Sequence, residues 1–396
     1  MKDKISILAI SDIHIGCPRS NPHLLHDKLK KFLYPQITKD IDILFICGDF
    51  FDTQLTLNAY AAFESLEIIR EIKALCKDVG CDLRVLRGTF THDRTQPQHF
   101  IMGEPPDSSA VKLMDTVCLE HHEKTGLDIL YIPDNHGYDN IYDEIDKLLK
   151  SHNLEQVDIL VHHGYFKHML PEALLVKGLP HGCLDYEHTS KFVRGCVLNG
   201  HVHIPSVYKN IVSVGSFDRL AHGEEMAKGF YRIDITQGQQ HQVYSIKFIE
   251  NKDATKFITY NLLTFDTSDK AMDWFNHEYN ELLKTVGAND PLRIRIMSDD
   301  KAVIEGCAQL AKSLHSNVVI DRGSTVKRSQ YIENTAIDLS ELPVITDDNL
   351  VELLMPILRK KNPCISEQTV KSILATVGCA TKEENHDQQS TENSSK

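Results

Sequence analysis

The chain has 396 residues, 41% apolar and 25% charged, the composition of an ordinary globular protein and more chain than one typical core needs. Its net charge of −13 excludes a protein that grips nucleic acid through a broadly basic surface, because such binding rests on many Lys and Arg contacts to phosphate. An acidic chain can still cleave nucleic acid, since acidic and histidine ligands reverse their local charge when they hold divalent cations. No apolar run is long enough to span a bilayer, so no membrane association is expected. The first apolar stretch is too short for a signal sequence and is broken by Asp12. The 10 cysteines include no Cys-x-x-Cys pair, and Cys47 and Cys196 lie within apolar strand patterns. A reduced, cytoplasmic protein is expected.

In chain order, residues 5–10 form an apolar strand that runs into Ser11-Asp12-Ile13-His14-Ile15-Gly16. Residues i and i+2 of an extended segment point the same way, so Asp12 and His14 can converge on one point beyond the strand. Taken alone, that pair is more readily a cap and a surface histidine. Apolar residues at helical spacing predict an amphipathic helix over 22–39, and 43–47 is a buried strand ending in Gly48-Asp49. A long helix over 57–79 precedes a third strand, 83–87, ending in Gly88. The alternation of strand and helix predicts right-handed crossovers and a parallel sheet.

Residues 89–109 hold several prolines and read as a long loop. Residues 116–120 and 128–132 predict a hairpin through Lys124-Thr125-Gly126, with His121 and His122 in its solvated turn. A helix near 142–152 leads to strand 157–161, ending in His162-His163-Gly164. A further strand, 193–198, is closed by Asn199-Gly200-His201-Val202-His203. Short strands at 206–208, 211–214, 229–235 and 241–248 suggest a second sheet. Past residue 249 the pattern becomes that of a small α+β domain: strand or linker over 257–265, a helix over 271–285 carrying Trp274, a strand at 292–296, a helix over 301–314 and a strand at 318–320.

Two short amphipathic helices follow. The first has Thr346 as N-cap, Asp347 and Asp348 in its first turn and Arg359-Lys360-Lys361 in its last, all favourable to the helix dipole. The second spans 366–378. Residues 381–396 lack an apolar stripe and are expected to be disordered. The expected organisation is therefore a domain over 1–249, an α+β capping domain over 250–342, a helical segment over 343–380 and a tail over 381–396.

Parallel α/β sheets gather ligands at the carboxyl ends of their strands. Here those ends carry Asp12 and His14, then Asp49, then His92 and Asp93 in the third loop, then His162, then His201 and His203. Each alone is a turn residue or a partly buried histidine; together, at one sheet edge, they point to a metal centre. Mixed carboxylate and imidazole ligands suit Mn²⁺, Fe²⁺ or Zn²⁺ better than Ca²⁺. Two such ions a few ångströms apart would share and acidify a water, and would stabilise the attacking and leaving oxygens of a phosphodiester.

This order of motifs resembles the calcineurin-like metallophosphoesterase superfamily. The longer words Gly48-Asp49-Phe50-Phe51-Asp52-Thr53, Asn199-Gly200-His201-Val202-His203 and Val214-Gly215-Ser216-Phe217-Asp218-Arg219-Leu220 are similar to those of the SbcD-type DNA repair exonucleases, from Ile5 to about Ile235. The resemblance implies an α/β fold with a metallophosphoesterase β-sandwich core flanked by helices. It also implies two Mn²⁺ ions. Asp12, His14, Asp49 and His203 would hold one, and Asp49 would bridge to a second held by His162 and His201. His162 is preferred to His163 because it directly follows the strand. DNA as substrate, an SbcC-type coiled-coil ATPase as partner and a homodimer are further implications. Competing readings are a small-molecule phosphodiesterase or phosphatase of the same superfamily, and a non-catalytic scaffold for DNA ends.

One motif departs from the family. Its third motif reads Gly-Asn-His-Asp, the Asn on the second metal and the His assisting the leaving group, whereas this chain has Gly88-Thr89-Phe90-Thr91-His92-Asp93. His92 is expected as general acid with Asp93 orienting its ring, and Thr91 or water as replacement for the missing amide. Similar Thr or Ser variants occur among phage-encoded members. Asp134-Asn135-His136-Gly137 offers an Asn-His pair, but it follows the hairpin strand and reads as a turn. In the resembled family the terminal helices dock on the ATPase coiled coil. The stripe of Leu350, Leu353, Leu354, Ile357 and Leu358 with Val370, Ile373, Leu374 and Val377 is either that surface or a cover for the small domain.

Overall fold

The computed structural model describes residues 4–323 apart from short stretches, the longest being 171–178 and 263–272, together with residues 351, 355, 367, 368, 370 and 371. The chain divides into two compact units, Met1–Gly323 and Ser324–Lys396. In the second, Val351, Met355 and Val370 are buried together. The rest of the predicted stripe, the decoy pair Asn135 and His136, Trp274 and the tail lie outside the described residues.

The first unit is an α/β structure built on two six-stranded mixed sheets. The first contains β1 (Lys4–Ile10), β2 (Ile43–Ile46), β3 (Asp82–Leu86), β4 (Val111–Met114), β11 (Gly229–Gln237) and β12 (Gln242–Glu250), in the order β12-β11-β1-β2-β3-β4. Strands β1 to β4 are parallel, β11 runs antiparallel beside β1, and β12 runs antiparallel beside β11. The second contains β5 (Cys118–His122), β6 (Leu127–Ile132), β7 (Val157–His163), β8 (Val193–Gly200), β9 (Ser206–Tyr208) and β10 (Ile211–Ser213), in the order β5-β6-β7-β8-β10-β9. Here β6, β7, β8 and β10 are parallel, with antiparallel β5 and β9 at the edges. A third, parallel sheet joins β13 (Ile258–Leu262), β14 (Leu292–Met297) and β15 (Val318–Gly323).

Alternating residues explain how the sheets stack. Ile5, Ile7 and Ala9 of β1 meet Ile129 and Tyr131 of β6 and Ile159 and Val161 of β7 in one core between the sheets. Leu8 and Ile10 face the other way, onto α1 (Pro22–Lys28) and α2 (Tyr60–Val79). On the far side, Leu160 and Val197 pack with α4 (Ile141–Ser151) and α5 (Tyr186–Phe192). A short helix, α3 (Phe90–Asp93), opens the long loop after β3, and α6 (Asn280–Thr285) and α7 (Lys301–Leu314) belong to the three-stranded module.

Three expectations change. The second sheet begins at Cys118 rather than near residue 206, and β11 and β12 return to the first. Strand β4, an edge strand of four residues, lies between the loop expected over 89–109 and the hairpin expected from 116, where no element is predicted. The helix predicted over 22–39 ends at Lys28 and continues as a wider turn, Leu29–Leu33, then a tight one at Tyr34–Gln36 that contains Pro35.

Between the sheets, Arg84 and Glu120 at the middle of their strands form a buried charge cluster. Arg84 of β3 is 2% exposed, and its guanidinium donates at 2.9 Å to Glu120 of β5, which also accepts from Lys112 and from the Tyr131 hydroxyl. Burial alone would raise the Glu120 pKa, but Arg84 and the other donors bring it down from its ordinary 4.5 to about 2. A depressed carboxylate stabilises the fold above its unfolded pKa, and that contribution is lost as pH falls from about 4.5 through 2. The cluster contributes on the order of 2–3 kcal/mol. Glu120→Gln is expected to lower the urea midpoint at neutral pH and to flatten the acid limb of the stability curve; an unchanged acid limb would contradict this.

Candidate metal centre

Both sheets supply the site, which lies where their carboxyl edges meet. The loop after β1 is tied to the loop after β2 by backbone bonds from Asp12 N–H to the Gly48 carbonyl (3.0 Å) and from His14 N–H to the Asp49 carbonyl (3.1 Å). Asp12 and His14 sit at φ 51°, Asp49 at 49° and His201 at 79°. Non-glycine residues avoid this region, and such strain persists where the surroundings impose it, often at functional sites. At Gly88 a Cβ would collide with the backbone nitrogen and carboxylate of Asp49, so only glycine lets the third loop approach this closely.

The side chains converge in overlapping groups. In the first, Asp12 Oδ1 is 3.9 Å from His14 Nε2 and 3.7 Å from His203 Nε2, and His14 Nε2 is 3.8 Å from Asp49 Oδ2. In the second, the same Asp49 Oδ2 is 3.2 Å from His163 Nε2, and His201 completes the group. Thr89 Oγ1 sits among them, 3.2 Å from Asp49 Oδ2, 3.3 Å from His201 Nδ1 and 3.4 Å from His163 Nε2. Atoms each about 2.1 Å from a shared ion lie about 3–4 Å apart, so these separations suit metal ligation. His92 joins His14 and Asp49, its ring 4.9 Å from that of His14.

The histidines are held by their far nitrogens. His14 Nδ1 donates to Asp52 Oδ1 (3.1 Å), His203 Nδ1 to Glu224 Oε1 (3.0 Å), His163 Nδ1 to the Cys47 carbonyl (2.7 Å) and His92 Nδ1 to the Asp52 carbonyl. Such outer partners orient a ligating imidazole and raise its basicity, leaving Nε2 for the metal. His201 differs, presenting Nδ1 to Thr89 while Tyr165 packs edge-on against its ring at 4.4 Å. Asp12 Oδ1 and His14 Nε2 are buried with no hydrogen-bond partner among the described residues. Buried polar atoms are almost always paired, so these two fit a cation between them.

Electrostatics agree. Burial disfavours a charged His14, yet Asp12, Asp52 and Asp49 around it raise its pKa to about 10. Burial likewise opposes charge on His163, and Asp49, Asp12 and the Cys47 carbonyl outweigh it, again to about 10. Asp49 is held well below the carboxylate range despite its burial, by His163, His14 and His92. His201 is lowered by burial and by the neighbouring His163. The surroundings therefore favour positive charge at this point, which a bound cation would also supply.

Asp12, His14, Asp49, His92, His201 and His203 come together as expected, and three assignments are corrected. His162 is replaced by His163. Along β7, Ile159, Val161 and His163 face the space between the sheets, while Leu160 and His162 face the helices. His162 donates Nδ1 to Asn199 (2.6 Å) and packs against Phe166. Asp93 does not orient His92. Its carboxylate accepts from the backbone of Asp49 (3.1 Å), Phe51 (3.0 Å) and Gly88 (2.7 Å), clamping the second loop to the third, and burial with the nearby Asp49 raises its pKa to about 6. Thr91 is exposed, and Thr89 occupies the position given to it.

His122 is buried and bonded to Asp82 (2.9 Å) and Thr125 (2.8 Å), while His121 is exposed beside Asp128; neither is at the site. Asp52 and Glu224, which hold His14, His92 and His203, are site residues that the sequence does not single out. Asp52 stood in a quoted motif without a role, and Glu224 had no sequence signal. His163→Ala is expected to lower divalent-metal binding 10-fold or more, about the loss seen when a metal's supporting shell is broken, whereas His162→Ala keeps it. Equilibrium dialysis of both variants checks this.

No family model matches the chain, and no curated protein matches it. Among solved structures, it is similar to GAP50, the anchor in the inner membrane complex of Plasmodium, at 14% identity over 64% of this chain and 86% of that one, with a TM-score of 0.36. It is also similar to a glutamine-dependent NAD+ synthetase from Acinetobacter baumannii in complex with ADP, at 13% identity over 96% and 77% of the two chains, with a TM-score of 0.28. Likenesses this distant do not bear on the site. Among the described residues no helix is long and apolar enough to cross a membrane.

Proposed function

We propose that the chain is a metal-dependent phosphodiesterase of the calcineurin-like metallophosphoesterase superfamily, an SbcD-type nuclease subunit that cleaves DNA together with an SbcC-type coiled-coil ATPase. The observation that carries this reading is Asp49, whose one carboxylate oxygen faces His14 at 3.8 Å and His163 at 3.2 Å in two groups of potential ligands. Asp12, His14, Asp49 and His203 would hold one divalent ion, and Asp49, His163, His201 and Thr89 a second, Mn²⁺ being the ion the resemblance implies. When bound, the pair supplies an activated water and neutralises the phosphate's charge.

The protein's own groups do the rest. Asp52 fixes His14 through its carboxylate and His92 through its carbonyl, which leaves His92 Nε2 turned to the site. A protonated His92 can hand that proton to the departing oxygen. Asp93 holds the loops of Asp49 and Thr89 in register, so the acid stays aligned with the ligands.

Incubation with supercoiled plasmid and Mn²⁺ tests the reading against the alternatives. Nicking and degradation are expected. Hydrolysis of nitrophenyl phosphate esters with intact plasmid would favour a small-molecule enzyme. Fewer than one bound Mn²⁺ per chain at millimolar metal would favour the scaffold.

A further inference from the structure

One exposed aromatic cluster is left over once the metal centre is accounted for. His168 and Tyr208 stack with ring centroids 4.1 Å apart and planes 23° from parallel. Tyr186 meets Tyr208 edge-on at 5.9 Å, and the Lys209 ammonium lies 3.6 Å over the Tyr186 ring and 5.4 Å from that of Tyr208. His168, Tyr208 and Lys209 are exposed, and so is Lys167.

The chain connects this shelf to the metal centre along two paths. From His203 the next residue is Ile204, 52% exposed, and the chain then enters β9 at Ser206, which pairs with Ser213 at the ligand-bearing edge. Tyr208 is two residues further, a rise of about 7 Å. From His163 the chain passes Tyr165, which packs on His201, and reaches His168. Ile204 and, on β9, Tyr208 are thus exposed apolar side chains on the path leading away from the ligands, Val207 pointing to the opposite face of the strand.

The chemistry selects the occupant. Three rings with an ammonium beside them suit flat, aromatic, anion-linked units, which is what successive bases on a phosphate backbone are. Lys209 has Glu187 at 3.7 Å, but both are exposed and such a pair is weak enough to yield to a phosphate. A partner strand is a poorer fit, because β9 offers only three residues for pairing.

We propose that the shelf of His168, Tyr186, Tyr208 and Lys209 stacks the unpaired bases of a nucleic-acid single strand whose backbone enters the metal centre. This rests on the phosphodiesterase reading above. The test is fluorescence anisotropy of a short fluorescein-labelled oligothymidylate with the full chain in EDTA, so that nothing is cleaved. Tyr208→Ala and His168→Ala are each expected to weaken binding about tenfold, the loss typical of one stacked base. Tyr208→Phe keeps the ring and should bind as the unaltered protein does. Lys209→Gln should reduce the salt dependence.

Wild-type binding by Tyr208→Ala, no oligothymidylate binding by the unaltered protein, or equal loss in Tyr208→Phe and Tyr208→Ala would each overturn the shelf. The enzymatic reading fails separately, if the unaltered protein with Mn²⁺ hydrolyses neither DNA nor bis(p-nitrophenyl) phosphate. In that case a selective loss in Tyr208→Ala would still support the shelf.

Discussion

Replacing Asp49 by asparagine is expected to cut phosphodiester hydrolysis about a thousandfold or more, since losing several kcal/mol of charge stabilisation at the reacting phosphate has that consequence. The amide keeps the shape of the side chain and the contact that Thr89 N–H makes with Oδ1 at 2.6 Å, so the loops stay in place. What goes is the charge that His14 and His163 both face. Bound metal should fall in the same variant, because Asp49 belongs to two of the three groups of candidate ligands, with His14 and His92 and with His163 and His201. Activity within tenfold of the unaltered protein would remove Asp49 from its central role.

His92→Ala should behave differently. It is expected to lower kcat by about 10²–10⁴ while leaving metal content and KM near their original values, because the role proposed for the ring is on the leaving group. Its anchor, the Asp52 carbonyl, belongs to the backbone and survives the substitution. Asp93→Asn gives a contrast, since Asp93 accepts three buried backbone N–H groups and its loss should reduce stability as well as rate. Thermal melts beside steady-state kinetics separate the two. Loss of metal from His92→Ala would recast His92 as a ligand, a role its place beside His14 and Asp49 also permits.

Much of this centre was legible in the residue order. Asp12, His14 and Asp49 follow strands whose apolar runs end abruptly in Gly, Asp or Ser, but the extended spacing expected to point Asp12 and His14 the same way is not what aims them: β1 ends at Ile10, and both residues sit at φ 51°. The choice between His162 and His163 was not legible for a related reason. Strand β7 is buried on both faces, so Val157-Asp158-Ile159-Leu160-Val161 has no polar alternation to show which face meets the other sheet. Only the partner sheet decides, and it places Asp49 opposite His163.

Thr89 was overlooked because two residues, Phe90 and Thr91, separate it from His92. A one-turn helix absorbs them and brings both ends to the site. The two-sheet division was hidden by the hairpin. Short edge strands such as β4 carry little periodicity, and the return of β11 to pair with β1 spans the length of the domain. Glu224 is a similar case: it lies 21 positions after His203, and nothing local marks it.

The central claim is that Asp49 joins two metal sites in one centre. Titration with Mn²⁺, followed by electron paramagnetic resonance of the loaded protein, tests it most directly. Two ions per chain with a coupled spectrum are expected, the coupling collapsing in Asp49→Asn. A single ion, or two ions with the separate six-line spectra of isolated Mn²⁺, would contradict it.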